Sequence, residues 1–403
     1  MKFNKWTMGL AAVGVVSFAS AARADEKMNA VQTALSGATL SGYVDTAATW
    51  RPGTDQGIGF FGGSVANTPG YRFMGNDGFS LNAVDIALDK PEDESPWAAG
   101  YHAEFMQGAD AVTPGIVGLR QAYVTLRTPV GNGIDWKVGM WDTIIGYESN
   151  SDPLNPNYTR SYGYTIEPTT HTGILATYKV NDMVTVQAGI ADSSNVGFGT
   201  VGVNPASFES QKAYMGDVQF MAPDGAGWMK GATLTVGVID AAGNHTTLTS
   251  GSTSFYAGAT LPMPVKALKV GAAFDFLDLH NGGLVGNPSD DSVWNIALYS
   301  SYQVTDKLVF NLRAEYLDNG NSSPVSNPIV LNSAYAGNEA EEFTATAQYN
   351  LWANVISRLE FRWDHVEHGN AFGFSSTDVS AANTSGTSRS NDFLLALNLI
   401  YQF

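Results

Sequence analysis

Two sets of charged side chains have a spacing suited to electrostatic work rather than to making and breaking bonds. The first lies in one stretch, residues 146–170, where Glu148, Asp152, Arg160 and Glu167 are interleaved with four tyrosines and three prolines. Prolines stiffen such a segment, and tyrosines can pack on a wall while keeping a wet hydroxyl. The second set occurs at every other position of an apolar run: Arg358, Glu360, Arg362 and Asp364, with Arg313 and Glu315 in an earlier run of the same kind. Carboxylates and guanidiniums opposed across a narrow water-filled gap would create a transverse field that orders water and disfavours apolar solutes. The expectation is that Glu148, Asp152, Arg160 and Glu167 face Arg313, Arg358 and Arg362.

Bond chemistry has little support. The chain has no cysteine and no G-x-S-x-G, and no glycine-rich phosphate loop follows a strand to open a helix. Six histidines are scattered, and only Asp364-His365-Val366-Glu367-His368 resembles a ligand cluster. At strand spacing Asp364 points away from His365 and Glu367, so no metal site is expected there. Asp182, Asp192 and Asp306 lack calcium-loop spacing. We expect neither an enzyme nor a cofactor.

These charges must be held by strands. From residue 38 onward the chain alternates, with runs near 38–50, 79–90, 98–108, 119–129, 133–145, 171–180, 182–193 and 210–222. The second half adds 230–240, 252–262, 266–278, 292–304, 306–318, 341–351, 355–366 and 391–403. That makes roughly sixteen, each near the length of a tilted membrane strand. Short connections alternate with long polar ones, the order of an up-and-down barrel with periplasmic turns and extracellular loops. In the last run Phe393, Leu395, Leu397, Leu399, Tyr401 and Phe403 share one face, and the chain ends on that aromatic edge. In water such an edge invites aggregation, whereas in lipid it closes a barrel.

Alternation also sorts the faces. Leu359, Phe361 and Trp363 go outward, leaving Arg358, Glu360, Arg362 and Asp364 inside. Leu308, Phe310, Leu312, Ala314 and Tyr316 go outward, leaving Asn311, Arg313 and Glu315 inside. Less regularly, Asp45, Asp85, His102, Glu104, Asp135, Lys137, Lys269 and Asp275 fall on the lumen side. A lumen lined by both signs of charge is a hydrated one, and about sixteen strands leave an aqueous channel.

The beginning of the chain has a different character. Lys2 and Lys5, an apolar run over 8–19 and Ala22-Arg23-Ala24 form the n-region, h-region and cleavage site of a secretory signal peptide, residues 1–24. Its removal takes three bases and no acid, lowering the formal net charge from −17 to about −20. Residues 25–37 make a short periplasmic N-terminal segment, and 38–403 make the barrel. Acidity on this scale argues against nucleic acid as a partner.

Specific stretches carry a family resemblance. Gly146-Tyr147-Glu148 and the run from Asn155-Pro156-Asn157-Tyr158-Thr159-Arg160 to Thr170-His171-Thr172-Gly173 resemble the signature of the OmpL-like β-barrel porin family. So do Leu40-Ser41-Gly42-Tyr43-Val44-Asp45, Arg120-Gln121-Ala122-Tyr123-Val124, Pro129-Val130-Gly131-Asn132-Gly133 and Glu209-Ser210-Gln211-Lys212. The resemblance implies an outer-membrane barrel with a pore-forming role, and by position 146–170 corresponds to the third loop that narrows general porins. The expected function is passive diffusion of small hydrophilic solutes, with a lean toward cations and neutral molecules. Outer-membrane lipid and lipopolysaccharide would surround the barrel, and its size suits a homotrimer. The competing expectation is a non-conducting surface barrel whose long loops bind a partner.

Overall fold

The computed structural model describes residues 37–52, 77–108, 110, 118–192, 212–241, 251–280, 291–318, 339–368 and 390–403. The expected signal peptide and nearly all of the 25–37 segment lie outside them. The described strands are β1 (Thr39–Trp50), β2 (Gly78–Lys90), β3 (Ala99–Gln107), β4 (Gly118–Thr128), β5 (Ile134–Asp142), β6 (Thr170–Lys179), β7 (Val184–Ala191) and β8 (Ala213–Met221). They continue as β9 (Thr233–Ala241), β10 (Ser252–Pro262), β11 (Leu268–Leu279), β12 (Asp291–Gln303), β13 (Leu308–Asp318), β14 (Glu339–Trp352), β15 (Val355–Val366) and β16 (Asn391–Gln402). Each pairs antiparallel with its chain neighbours, and β16 returns to β1, closing a sixteen-stranded barrel.

Closure follows from the solvent. Hydrocarbon offers no hydrogen bonds, so an open sheet would leave a row of unpaired amides. The seam runs from Tyr43↔Gln402 to Trp50↔Leu395. It is extended at the rim by Gly42 N donating to Phe403 O at 3.1 Å and Phe403 N to Gly42 O at 3.0 Å. The terminal Phe403 thus belongs to the seam. A Cβ on Gly42 would lie 2.8 Å from the Phe403 ring and would strike the Asp85 carbonyl, so only glycine fits there.

Outward positions are the apolar set that alternation assigns. On β16 Leu395, Leu397, Leu399 and Tyr401 are exposed while Leu394, Ala396, Asn398 and Ile400 are buried. On β15 Leu359 and Phe361 face out, whereas Arg358, Glu360 and Arg362 are at most 1 % exposed. Among the described residues no helix is long and apolar enough to cross a membrane.

The structure departs from strict alternation in three places. Register shifts occur at Asp45/Thr46 between β1 and β2, at Glu104/Phe105 between β3 and β4, and at Asn350/Trp352 between β14 and β15. Each inserts one extra residue (Asn82, Arg120 and Leu351), and a bulge of this kind re-aims side chains. The expected strand 133–145 is also shorter, ending at Asp142 where the chain turns off the wall.

The outer face gives a stability test. Leu397 lies mid-strand and is 58 % exposed, so Leu397→Arg should lower the unfolding free energy by about 2–4 kcal/mol. Tyr401→Arg, on the same face but at the rim, should cost about 0–1 kcal/mol. Urea titration of tryptophan fluorescence in lipid vesicles distinguishes the two.

Candidate functional site: a loop docked inside the barrel

The wall opens where β5 ends. Thr143 N donates to Thr169 O at 2.9 Å, so the outgoing and returning arms of the β5–β6 connection are pinched together. Everything between them lies inside the barrel, and nearly every residue from Asn155 to His171 is buried. Two local devices shape the segment. The Asn155 amide donates to Ser149 O at 2.8 Å and Ser151 O at 2.9 Å, while its Oδ1 accepts from Ser149 N at 2.8 Å, folding 149–155 into a closed turn. Ser161 then caps a short helix, α1 (Tyr162–Ile166), its Oγ accepting from Tyr164 N at 3.0 Å.

The outgoing arm rests on an apolar patch. Ile145 packs with Trp141, Leu175, Met215, Ile239, Tyr256 and Tyr299, all buried and all inside the barrel. Tyr147 stacks on Tyr299 with ring centroids 4.0 Å apart. The lumen is therefore not uniformly wet: its face from β6 to β12 is a hydrophobic seat for the loop. Burying one side chain such as Ile145 stabilises the docked arm by about 1.5–3 kcal/mol.

Ionic contacts hold the remainder against β13–β15. Arg313 meets Glu148 at 2.8 Å, Glu342 at 3.2 Å and Glu315 at 3.3 Å, with every side chain at most 1 % exposed. Its guanidinium also donates to Thr159 O at 2.8 Å. Arg362 pairs with Asp364 at 2.7 Å and donates to Arg160 O at 2.7 Å. Arg358 donates to Asn155 O at 2.6 Å and to Asp152 O at 3.3 Å. Glu360 accepts from Tyr158 N at 2.5 Å and Thr159 N at 2.9 Å, and Glu315 accepts from Tyr162 N at 2.9 Å. Tyr162 Oη donates to Asp364 at 2.6 Å. Burial and the nearby Asp364 raise the Tyr162 phenol well above its ordinary range, which keeps that proton in place. Tyr43 on β1 donates no charge but accepts from Asp152 N at 3.3 Å.

Three of the four loop residues singled out from the sequence therefore reach the wall arginines, in ways alternation does not specify. Glu148 touches Arg313 directly, with no gap for water between them. Asp152 and Arg160 pair with each other at 2.7 Å and offer their carbonyls, not their charges, to Arg358 and Arg362. Glu167 meets no arginine. Burial first, and then the Asp275 carboxylate, raise its carboxyl well above the usual range, so the two acids share a hydrogen bond. Of the other wall residues, Asp45 accepts from Asn82 and Asn398, both at 2.7 Å. Glu104 accepts from Arg120 at 2.7 Å and Gln121 at 2.6 Å. His365 lies on the opposite face from Asp364, stacked on Trp363 at 5.7 Å, with its Nδ1 3.0 Å from Asn391.

The loop's polar anchors lie on β1 and β10–β15. Facing them, β3–β5 carry partly exposed polar groups: His102 stacked on Tyr123 at 5.1 Å, Lys137 4.8 Å above the same ring, and Gln121. Arg120 bridges Glu104 and Asp142, the latter at 3.0 Å and 28 % exposed. Sequence reasoning missed Arg120 and Asn82 because bulges place them where parity does not. It also passed over Glu342, although this residue shares a face with Thr344, and over the apolar seat.

Residues 37–403 match the family model described as "Putative beta-barrel porin-2, OmpL-like". The chain belongs to this family. It is an outer-membrane porin. No curated protein matches it in sequence. Among solved structures the porin is similar to an anion-selective porin from Comamonas acidovorans, at 12% identity and TM-score 0.58, covering 91% of this chain and 99% of that one. It is also similar to the outer-membrane channel DcaP of Acinetobacter baumannii, at 12% identity and TM-score 0.59 over 91% and 98%. A third is the trimer form of OmpT from Vibrio cholerae, at 14% identity and TM-score 0.56 over 91% and 99%. At these identities the likeness is one of fold.

Removing Arg313 leaves Glu148 and Glu315 without their paired cation and Glu342 with only Arg362 at 3.9 Å, a change that costs about 3–5 kcal/mol. Arg313→Met should therefore free the loop, and trypsin should cut the folded barrel after Arg160, where the wild type resists; mass spectrometry of the fragments reads this. The Glu167 contact has its own pH signature. A carboxyl raised by folding stabilises fully below the ordinary glutamate range, and this is lost as pH rises through the raised value. Tryptic protection at Arg160 should fall toward alkaline pH, and Glu167→Gln should flatten that fall.

Proposed function

We propose that the docked loop, residues 143–169, is the constriction of a passive channel for small hydrophilic solutes. Supporting this is one arrangement: the loop's charged groups are consumed in docking, and its Ser149-Asn150-Ser151 edge stays partly exposed near Asp142. Glu148, Asp152, Arg160 and Glu167 set the aperture by fixing where the loop lies. The aperture runs between that neutral edge and the β3–β5 wall, where Asp142, Gln121, Tyr123 and Lys137 present polar and charged groups to water and the buried Arg120 braces Asp142. Discrimination comes from width and from this local field, and no catalytic step is involved. With acids in excess over the whole chain, Asp142 biases passage toward cations and neutral solutes. Outer-membrane lipid and lipopolysaccharide contact the apolar outer face, and three copies form the working unit, in line with the trimeric OmpT it resembles.

Single-channel current in a planar bilayer under a salt gradient tests this reading. Discrete steps with a cation-leaning reversal potential are expected, and Asp142→Asn should move that potential toward anions. Because the chain has no cysteine, Asn150→Cys supplies a unique thiol, and a bulky thiol-directed reagent should cut its unitary conductance by at least half. Unchanged current after complete labelling would place the conduction path elsewhere, and a silent bilayer containing the folded barrel would return the reading to a loop-binding surface protein.

A further inference from the structure

Below the constriction the lumen changes character. A cavity of about 470 Å³ lies between the loop's turn at Pro153–Pro156 and the wall of β9, β10 and β12–β14. That is within the range of about 300–1,000 Å³ for small-molecule sites. Its wall residues sit at the short-turn, periplasmic ends of their strands: Thr233 and Thr235 open β9, Thr260 is near the end of β10, and Gln348 is near the end of β14. None of its lining residues carries a charge. The smaller space above, of about 150 Å³, is lined instead by Asp142, Glu148 and Glu167. A neutral chamber in a lumen otherwise lined with both signs of charge requires a reason.

The chamber is furnished with hydroxyls, amides and aromatic rings. Thr233, Thr235, Thr260 and Ser301 supply hydroxyls, and Asn311 and Gln348 supply amides. Both kinds of group donate and accept, which matches a solute whose own hydroxyls do both. Tyr147 and Tyr256 border the space, and Tyr147 is held by its stack on Tyr299 and by Thr260 Oγ1 donating to its Oη at 3.1 Å. Two glycines make room for these phenols. A Cβ at Gly258 would strike Tyr256 Oη, and one at Gly271 would strike Tyr147 Oη. The tyrosines therefore occupy space that any larger residue at 258 or 271 would deny them.

From this we infer that the chamber is a resting site for a neutral polyhydroxylated solute of mono- or disaccharide size, taken up after it passes the constriction. The inference rests on the porin reading above and names the solute class. A charged solute entering here would lose hydration without meeting a counter-charge, whereas a polyol exchanges its water hydrogen bonds for hydroxyls and amides. Its apolar ring faces can lie against the tyrosines.

The test uses the full-length porin in a planar bilayer, with maltose added on the periplasmic side and glutamate or lysine at equal osmolality as comparators. Maltose should produce resolved interruptions of the open current, saturating with concentration, while both amino acids pass without them. Thr235→Val keeps the volume and removes one hydroxyl. It should raise the half-blocking maltose concentration about five-fold, and Thr233→Val/Thr235→Val should raise it further. Thr260→Val, which also releases Tyr147, is the second site and should weaken block as well. Open channels with no maltose interruptions, equal block by the amino acids, or block unchanged in all three variants would overturn the inference while leaving the porin reading intact. Absence of channel steps in the wild type would overturn both.

Discussion

A strand in hydrocarbon has nowhere to place an unpaired amide, and the other properties of this protein follow from that constraint. The seam between β1 and β16 meets it and makes the outer face a continuous apolar belt. With lipid outside, the polar content of sixteen strands is driven to one side of the wall. The lumen consequently holds Arg313, Arg358, Arg362 and their carboxylates at almost no exposure. Charges so dense and so dry need partners in contact, and the β5–β6 loop supplies them.

The loop is bound by two kinds of force at its two ends. Ile145 and Tyr147 rest on an apolar seat spread from β6 to β12, held by packing with a single hydrogen bond from Thr260 to Tyr147. Farther along, carbonyls, amides and side chains interlock with β13–β15 at fixed distances. The first gives affinity and the second gives register, so the Ser149–Ser151 edge is held at one place in the lumen. This division of labour also explains why so few of the loop's charges meet water: they hold the loop against the wall, and the charged groups left partly exposed beside it are Asp142 and Lys137 on the β3–β5 wall.

Much of this was readable from residue types alone. Period-two alternation gave sixteen strands and their faces, because a membrane barrel punishes a charge on the lipid side at every step. Arg358, Glu360, Arg362 and Asp364 were placed on the lumen face by that argument. The inward position of Arg120 was not readable, because a bulge reverses parity with no local mark in the sequence. Nor was the seat formed by Leu175, Met215 and Ile239, since an inward apolar residue looks like any other strand residue until something packs on it. The partners of Asp152 and Arg160 were hidden for a further reason: the wall arginines take their carbonyls, and a backbone acceptor leaves no trace in residue identity.

The docked loop also imposes an order on assembly. Glu148 and Arg313 are 165 positions apart in the chain, and Tyr158 waits still longer for Glu360. Until β13–β15 arrive, the loop has only its apolar seat, and its carboxylates remain hydrated. The polar half of the docking therefore completes only after β13–β15 are in place, late in assembly. Contacts this distant in sequence make folding slow, and they leave a half-built sheet with two sticky edges that an escorting factor would have to shield.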